Sequence, residues 1–495
     1  MPIALMRMLV DTASGITQQS ADRAYLSGLD QVPWPCRSRL KDGELQIERT
    51  VNESGKFQIP FPVPGRGEMM LSTGTLMQRE RPYQLEIELA RGKLNQVRNQ
   101  IAEWQAMGLL VSGQVEAALR KAIEQFSAAV TSQDTPAVAA QRARQAIVSA
   151  VEVGDLLADC YVEQALALRH RQMARLPTLL GLNLDHRLLP PTALAHLITT
   201  FNSVTVPLIW RHVEAIEGEF QWQIYDKQIE WFQSHNVHVS AGPLLRLDDR
   251  GLPDWLCLWE GDFDGLLSFA ADYVTAVVSR YRGKVGMWHC AARVNVGDVM
   301  GLQEEQKMQL AVRTLEVARK LDPETPAIIR FDQPWGEYLR RADFDLSPLH
   351  FADALVRAGV QLGGIGLEIN VGYFPSGTAM RDRLDFSRML DLWSYLGLPL
   401  HISLTVPSGD QPDPKARSTS SPLAGAGHWT PEVQAAWVKR FVPLLFAKSY
   451  VQSITWNQFC DSDPHDYPHG GLFDAGNAAK PAFTALAALR KKHLH

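Results

Sequence analysis

The stretch LGGIGLEINVGYFPSGTAMRDRLDFSRMLDLWSYLGLPLHISLTV, residues 362–406, shows the repeating unit of the chain most plainly. Its two ends, 362–368 and 399–405, are short apolar runs of strand length, and the residues between them carry amphipathic spacing, so the segment reads strand, helix, strand. The same alternation recurs from Leu176 onward, with further candidate strands at 176–183, 201–206, 237–245, 284–290, 326–331 and 451–456. Eight strands separated mainly by helical patterns predict an α/β fold, a (β/α)8 TIM barrel over 176–495. No short-period repeat suggests a solenoid.

Upstream of the barrel the pattern divides in three. Residues 1–43 carry Pro33 and Pro35 and little periodicity, and are expected to be an irregular N-terminal segment. Over 44–90, Leu45 and Ile47, then Phe57, Ile59, Phe61 and Val63, alternate with other residues between glycine turns, which predicts a small β unit. Over 91–175 the period turns helical: Leu94, Val97, Ile101 and Trp104 form one stripe, Val115, Leu119, Ile123 and Phe126 a second, and a third stretch follows from about Thr135. This helical accessory region is expected to pack on the β unit, on the barrel or on another copy of itself, which would make the protein a homo-oligomer through its N-terminal region.

Composition narrows the function classes. The chain has 495 residues, 46% of them apolar and 21% charged, and a net charge of −5, with no basic excess suited to a phosphate backbone. Nucleic acid is not expected as a partner, and neither is a membrane, because no run of about 18 apolar residues occurs. Cys36, Cys160, Cys257, Cys290 and Cys460 are odd in number and form no CxxC pair, which argues against disulfides and structural zinc. The opening MPIALMRMLVDTAS is broken by Arg7 and Asp11 and makes a poor secretory signal, so the cytoplasm is the expected compartment.

A chain of ordered fragments carries a resemblance. FNSVT at 201–205, EGEFQW at 217–222 with Asp226, LPDWL at 252–256, GKVGMWHCAARVN at 283–295, GIGLEIN at 364–370, LGLPLHISLTV at 396–406, and WNQFCDSD with GLFDAGNAAKPAF within 456–483 follow one another as do the segments of glycoside hydrolase family 10, the endo-β-1,4-xylanases. The resemblance implies the same barrel and a carbohydrate ligand. It also implies two catalytic glutamates, and here Arg293 stands at the acid/base position and Leu404 at the nucleophile position, with Ala292 and Asn370 at two sugar-binding positions. Retaining glycosidases work with two carboxyl groups about 5–5.5 Å apart, and neither arginine nor leucine can take either part. The resembled family's ENxMK and its third-strand histidine have no counterpart at 206–210 or 241–247.

Barrel sites lie at the C-terminal ends of the strands, so the chemistry is sought there. Glu368, Asp332 and Asp461 are the candidate catalytic carboxylates, relocated from the family's pair. Trp456, Arg293, Arg330, Arg246, Asn370, Trp335 and Asn457 are the candidate sugar-binding residues, Trp456 as a stacking platform. Arg246, Arg293 and Arg330 end three consecutive strands and suit an anionic group on the carbohydrate, unless Asp332 and Glu368 neutralise them. The cluster CDSDPHDYPHGG at 460–471 lacks regular ligand spacing, and the loop 407–429 is not a P-loop, so neither metal nor cofactor is expected. Three readings stand open: a divergent glycoside hydrolase, an inactive sugar-binding barrel, and a scaffold acting through its N-terminal units.

Overall fold

The structure, a computed structural model, describes residues 4–49, 53–189, 191–340, 344–423 and 427–495. Eight parallel strands form the barrel: β1 (Leu179–Asn183), β2 (Ser203–Val206), β3 (His238–Ala241), β4 (Met287–Ala292), β5 (Ala327–Asp332), β6 (Gly364–Asn370), β7 (Leu400–Thr405) and β8 (Val451–Trp456). Each pairs with the next, and β8 closes on β1 with Ser453 opposite Leu179 and Trp456 opposite Leu182. The closed (β/α)8 barrel expected from the sequence is present.

Strand alternation sorts the residues. In β6, Ile365, Leu367 and Ile369 join the apolar layer beneath the helices, and in β7 Leu400, Ile402 and Leu404 do the same. The intervening residues, Gly364, Gly366, Glu368 and Asn370 on β6 and His401, Ser403 and Thr405 on β7, therefore face the barrel axis. This interior is polar. A Cβ at Gly366 would come within 2.5 Å of Arg330 Cγ, so glycine there leaves room for the arginine to cross the barrel.

The segment 1–43, expected to be irregular, instead carries strands at Ala4–Leu9, Tyr25–Ser27, Pro33–Trp34 and Cys36–Lys41. They are short or interrupted by turns, which hides their period, and they complete two four-stranded sheets with the strands from Glu44 onward. Met6, Met8, Leu45 and Ile47 of one sheet and Leu26, Phe57, Phe61 and Leu71 of the other share one core. Three helices follow: α1 (Leu85–Ala106), α2 (Gly113–Val130) and α3 (Pro136–Gln172). Ser112 caps α2 by accepting from the Val115 amide, and Pro136 opens α3 where a missing amide proton costs nothing.

Of the three packing partners considered for the helices, the structure supplies two, the β unit and the barrel. Leu384 of the barrel enters the apolar cluster of Leu94, Val97, Trp104 and Leu157. The Met70 amide donates to the Met380 carbonyl at 2.8 Å, and Lys93 pairs with Asp382 at 2.5 Å with both side chains buried. Arg381 bonds Tyr25, Glu337 and Asp385 at 2.8, 2.7 and 2.7 Å. The N-terminal units are thereby fastened to the loop after β6.

Candidate active site

A cavity of about 190 Å³ opens at the C-terminal ends of the strands. Two strands end in a left-handed kink: Arg293, just past β4, has φ 58°, and Gln333, just past β5, has φ 49°. Such backbone costs about 1–3 kcal/mol for a non-glycine residue and concentrates at functional sites. Of the candidate residues, Glu368, Arg246, Arg293, Arg330 and Asn457 line this mouth.

Every one of the three arginines already has a carboxylate. Arg330 pairs with Glu368 at 2.5 Å, each side chain 5% exposed, and also donates to Asn457 Oδ1 at 3.3 Å. Arg246 holds Asp248 through two nitrogens at 2.9 and 2.7 Å and Asp466 at 2.6 Å. Arg293 lies 3.2 Å from Asp248, 3.3 Å from Asp466 and 3.6 Å from Asp332, and donates to Tyr467 Oη at 3.1 Å. The anion clamp read from the sequence is thus neutralised from within, which is the outcome its acidic neighbours favoured. Burial alone would raise the Asp466 carboxyl, but Arg246, Arg293 and Arg250 overcome it and hold that group well below the usual carboxylate range.

Asp332 and Asn370 sit one layer behind the wall. Asp332 is 1% exposed, its amide and carbonyl are tied to Asn295, and Asn370 donates to Tyr467 Oη at 2.8 Å. Burial, reinforced by the Glu368 charge and opposed by Arg293, pushes the Asp332 carboxyl up to about 7. The folded protein therefore binds a proton here that the unfolded chain releases near pH 4. This group's contribution is present in full below about 4 and is lost as pH rises toward 7. Asp332→Asn should remove that slope and raise stability at pH 8 relative to pH 5 by on the order of a few kcal/mol. Chemical denaturation at the two pH values checks it, and equal slopes in variant and wild type would refute it.

Three candidates fall elsewhere. Trp456 is 2% exposed, donates its indole N–H to the Gly470 carbonyl at 2.9 Å, and shares a row with Leu404 and Leu182 in the apolar layer. Its neighbour Asn457 reaches the mouth instead, because adjacent residues of a strand face opposite sides. Asp461 is buried on Lys480 at 2.5 Å and accepts from the Gly471 amide at 2.8 Å, so it pins a loop away from the cavity wall. Trp335 lies against Arg381, 4.6 Å from guanidinium to ring centre, and lines a different cavity, between the barrel and the N-terminal units. Leu404 is fully buried in the core, pointing away from the chemistry the resemblance implied for it.

The mouth also holds residues to which the sequence assigned no role. His186 and His212 lie with ring centres 3.8 Å apart, and His186 meets Tyr225 Oη at 3.1 Å. Burial, and then His212, lowers His186 to about 3, so the pair is neutral. Asp185 is pushed up to about 6 by burial, with the Cys460 hydrogen bond and Arg187 opposing. Asp185, Cys460 and Asp463 are the group of three metal-competent side chains among the described residues whose donor atoms converge. Arg187 already occupies it, 3.5 Å from Asp185 and 3.6 Å from Asp463, with a nitrogen 3.0 Å from Cys460 Sγ. A cation there would have to displace a guanidinium. Asp466 and Tyr467 stood inside the polar cluster 460–471, but nothing in their spacing distinguished them from their neighbours.

No family model matches the chain. Endo-1,4-beta-xylanase B of Thermotoga neapolitana is 22% identical over 297 residues, covering 58% of this chain and 79% of that protein. Endo-1,4-beta-xylanase C of Paenibacillus barcinonensis is 24% identical over 326 residues, covering 58% of this chain and 28% of the relative. Among solved structures, xylanase 10B of Thermotoga maritima superposes with a TM-score of 0.48 at 17% identity, over 67% of this chain and 97% of that one.

Proposed function

We propose that the barrel binds a neutral saccharide at its mouth and does not hydrolyse it. The observation that carries this reading is the 2.5 Å pair between Glu368 and Arg330: the candidate carboxylate on the wall is committed to a cation in its resting state. Asp332, its neighbour across the β5–β6 pairing, is sealed behind the wall, and Asp461 belongs to a loop. What remains exposed to a ligand is a set of fixed hydrogen-bonding groups, Asn457, Asn183, His186 and His212 among them, which suits hydroxyls. Low-identity alignment with two xylanases supports a xylose-based oligosaccharide as the ligand class.

Titration calorimetry with neutral xylo-oligosaccharides tests it. Saturable binding, weakened about tenfold by Asn457→Ala through loss of hydrogen bonds to ligand hydroxyls, is the expected result. Absence of binding, or binding indifferent to the variant, would count against the mouth as the site.

A second reading has one observation in its favour. Asp185 lines the mouth and its carboxyl is pushed up to about 6, the behaviour wanted of a general acid, with Glu368 as the second carboxyl group of the mouth. Under this reading a relocated pair hydrolyses a glycosidic bond, and Asp185→Asn abolishes turnover while binding persists.

A further inference from the structure

The arginines of the mouth are neutralised from within, whereas two cations without a carboxylate partner among the described residues face another cavity. It has a volume of about 250 Å³ and lies between the sheet containing Tyr25–Ser27, Gly55–Val63 and Gly67–Leu76, helix α1, and barrel residues 381–388. Lys56 and Arg388 stand half-buried on its wall, and among the described residues neither makes an ion pair or a side-chain hydrogen bond. The acids nearby are engaged. Asp382 holds Lys93 at 2.5 Å, while Asp385 gives one oxygen to Arg381 at 2.7 Å and the other to Gln96 at 3.4 Å. Burial lowers the Lys56 ammonium pKa, Arg388 lowers it further, and Asp385 opposes more weakly. Two like charges kept close on a desolvated wall favour an anion between them. The same wall carries the exposed Asn95 and Asn99, whose side-chain amides make no hydrogen bond within the described protein, together with the hydroxyls of Ser72 and Thr75.

We propose that this cavity is a second ligand site for a small polyhydroxylated molecule bearing one carboxylate or phosphate, the anion held by Lys56 and Arg388 and the hydroxyls by Asn95 and Asn99. The site is separate from the mouth and shares none of its lining residues. Its ligand would tie the N-terminal sheet to the barrel, since Lys56 belongs to one and Arg388 to the other.

Calorimetric titration of the whole chain with glucuronic acid, glucose 6-phosphate, inorganic phosphate and glucose tests the proposal. Either sugar acid or sugar phosphate should bind with one site per chain, more tightly than inorganic phosphate, with glucose showing nothing at this site. Lys56→Met and Arg388→Met should each weaken that binding about tenfold or more, whereas Asn457→Ala in the mouth should leave it unchanged. Without ligand, neither methionine variant should lower Tm, because each removes a repulsion and no partner. The proposal is overturned if neither anionic sugar binds, if binding survives both methionine substitutions, or if inorganic phosphate binds as tightly as the sugars. It is equally overturned if the methionine variants are clearly less stable than wild type, which would mean that the two cations serve the fold.

Discussion

Replacing Arg330 by methionine is expected to destabilise the protein by about 3–5 kcal/mol at neutral pH, the cost of leaving a buried charge without its partner. The stranded group is Glu368, 4% exposed, with Asp332 opposite it on the adjacent strand. With the guanidinium gone, two buried carboxyls would face each other with one cation, Arg293, 3.6 Å from one of them. The variant would take up a proton, so its deficit should shrink as pH falls from 8 to 5 and grow as pH rises. Denaturant unfolding at both pH values checks this. Adding Glu368→Gln to Arg330→Met should recover most of the loss, since removing both charges costs far less than removing one. A deficit below about 1 kcal/mol would mean that the pair is solvated and that Glu368 is available for other work.

Asp466→Asn is expected to cost about 3–5 kcal/mol as well, for the opposite reason: one anion serves several cations. Its oxygens lie 2.6 Å from Arg246, 3.3 Å from Arg293 and 3.4 Å from Arg250. Asp248, the other acid in contact with Arg246 and Arg293, cannot neutralise all three. The pH dependence has a definite sign. A carboxyl held well below its unfolded value contributes stability that is present above about pH 4 and is lost as pH falls further. Wild type should therefore show a steep acid limb in its melting temperature, and Asp466→Asn a lower but flatter one. Parallel acid limbs would contradict the assignment.

The barrel was legible because strand identity rests on short apolar runs repeated in order, and all eight runs became strands. The site was only half legible. Glu368, Arg246, Arg293, Arg330 and Asn457 reached the mouth because they lie near the C-terminal ends of strands and line the cavity there. Trp456 did not, since sequence proximity to a strand end does not fix which way a side chain faces, and a shift of one residue changes the answer. Leu404 obeys the same rule. Asp461 and Trp335 depend on where long loops fold back, on Lys480 in one case and on the N-terminal units in the other. The irregular reading of 1–43 failed because its strands pair with residues 44–49 and 56–58 and share one core with both sheets, beyond the reach of periodicity within the segment itself.

The mouth is proposed to bind a saccharide and to leave its glycosidic bonds intact. The most direct measurement follows the anomeric protons of a xylo-oligosaccharide by NMR during long incubation with the protein, at concentrations where calorimetry shows the site occupied. Saturable binding and an unchanged spectrum are expected. New reducing-end signals that appear with wild type and vanish with a folded Glu368→Gln variant would contradict it.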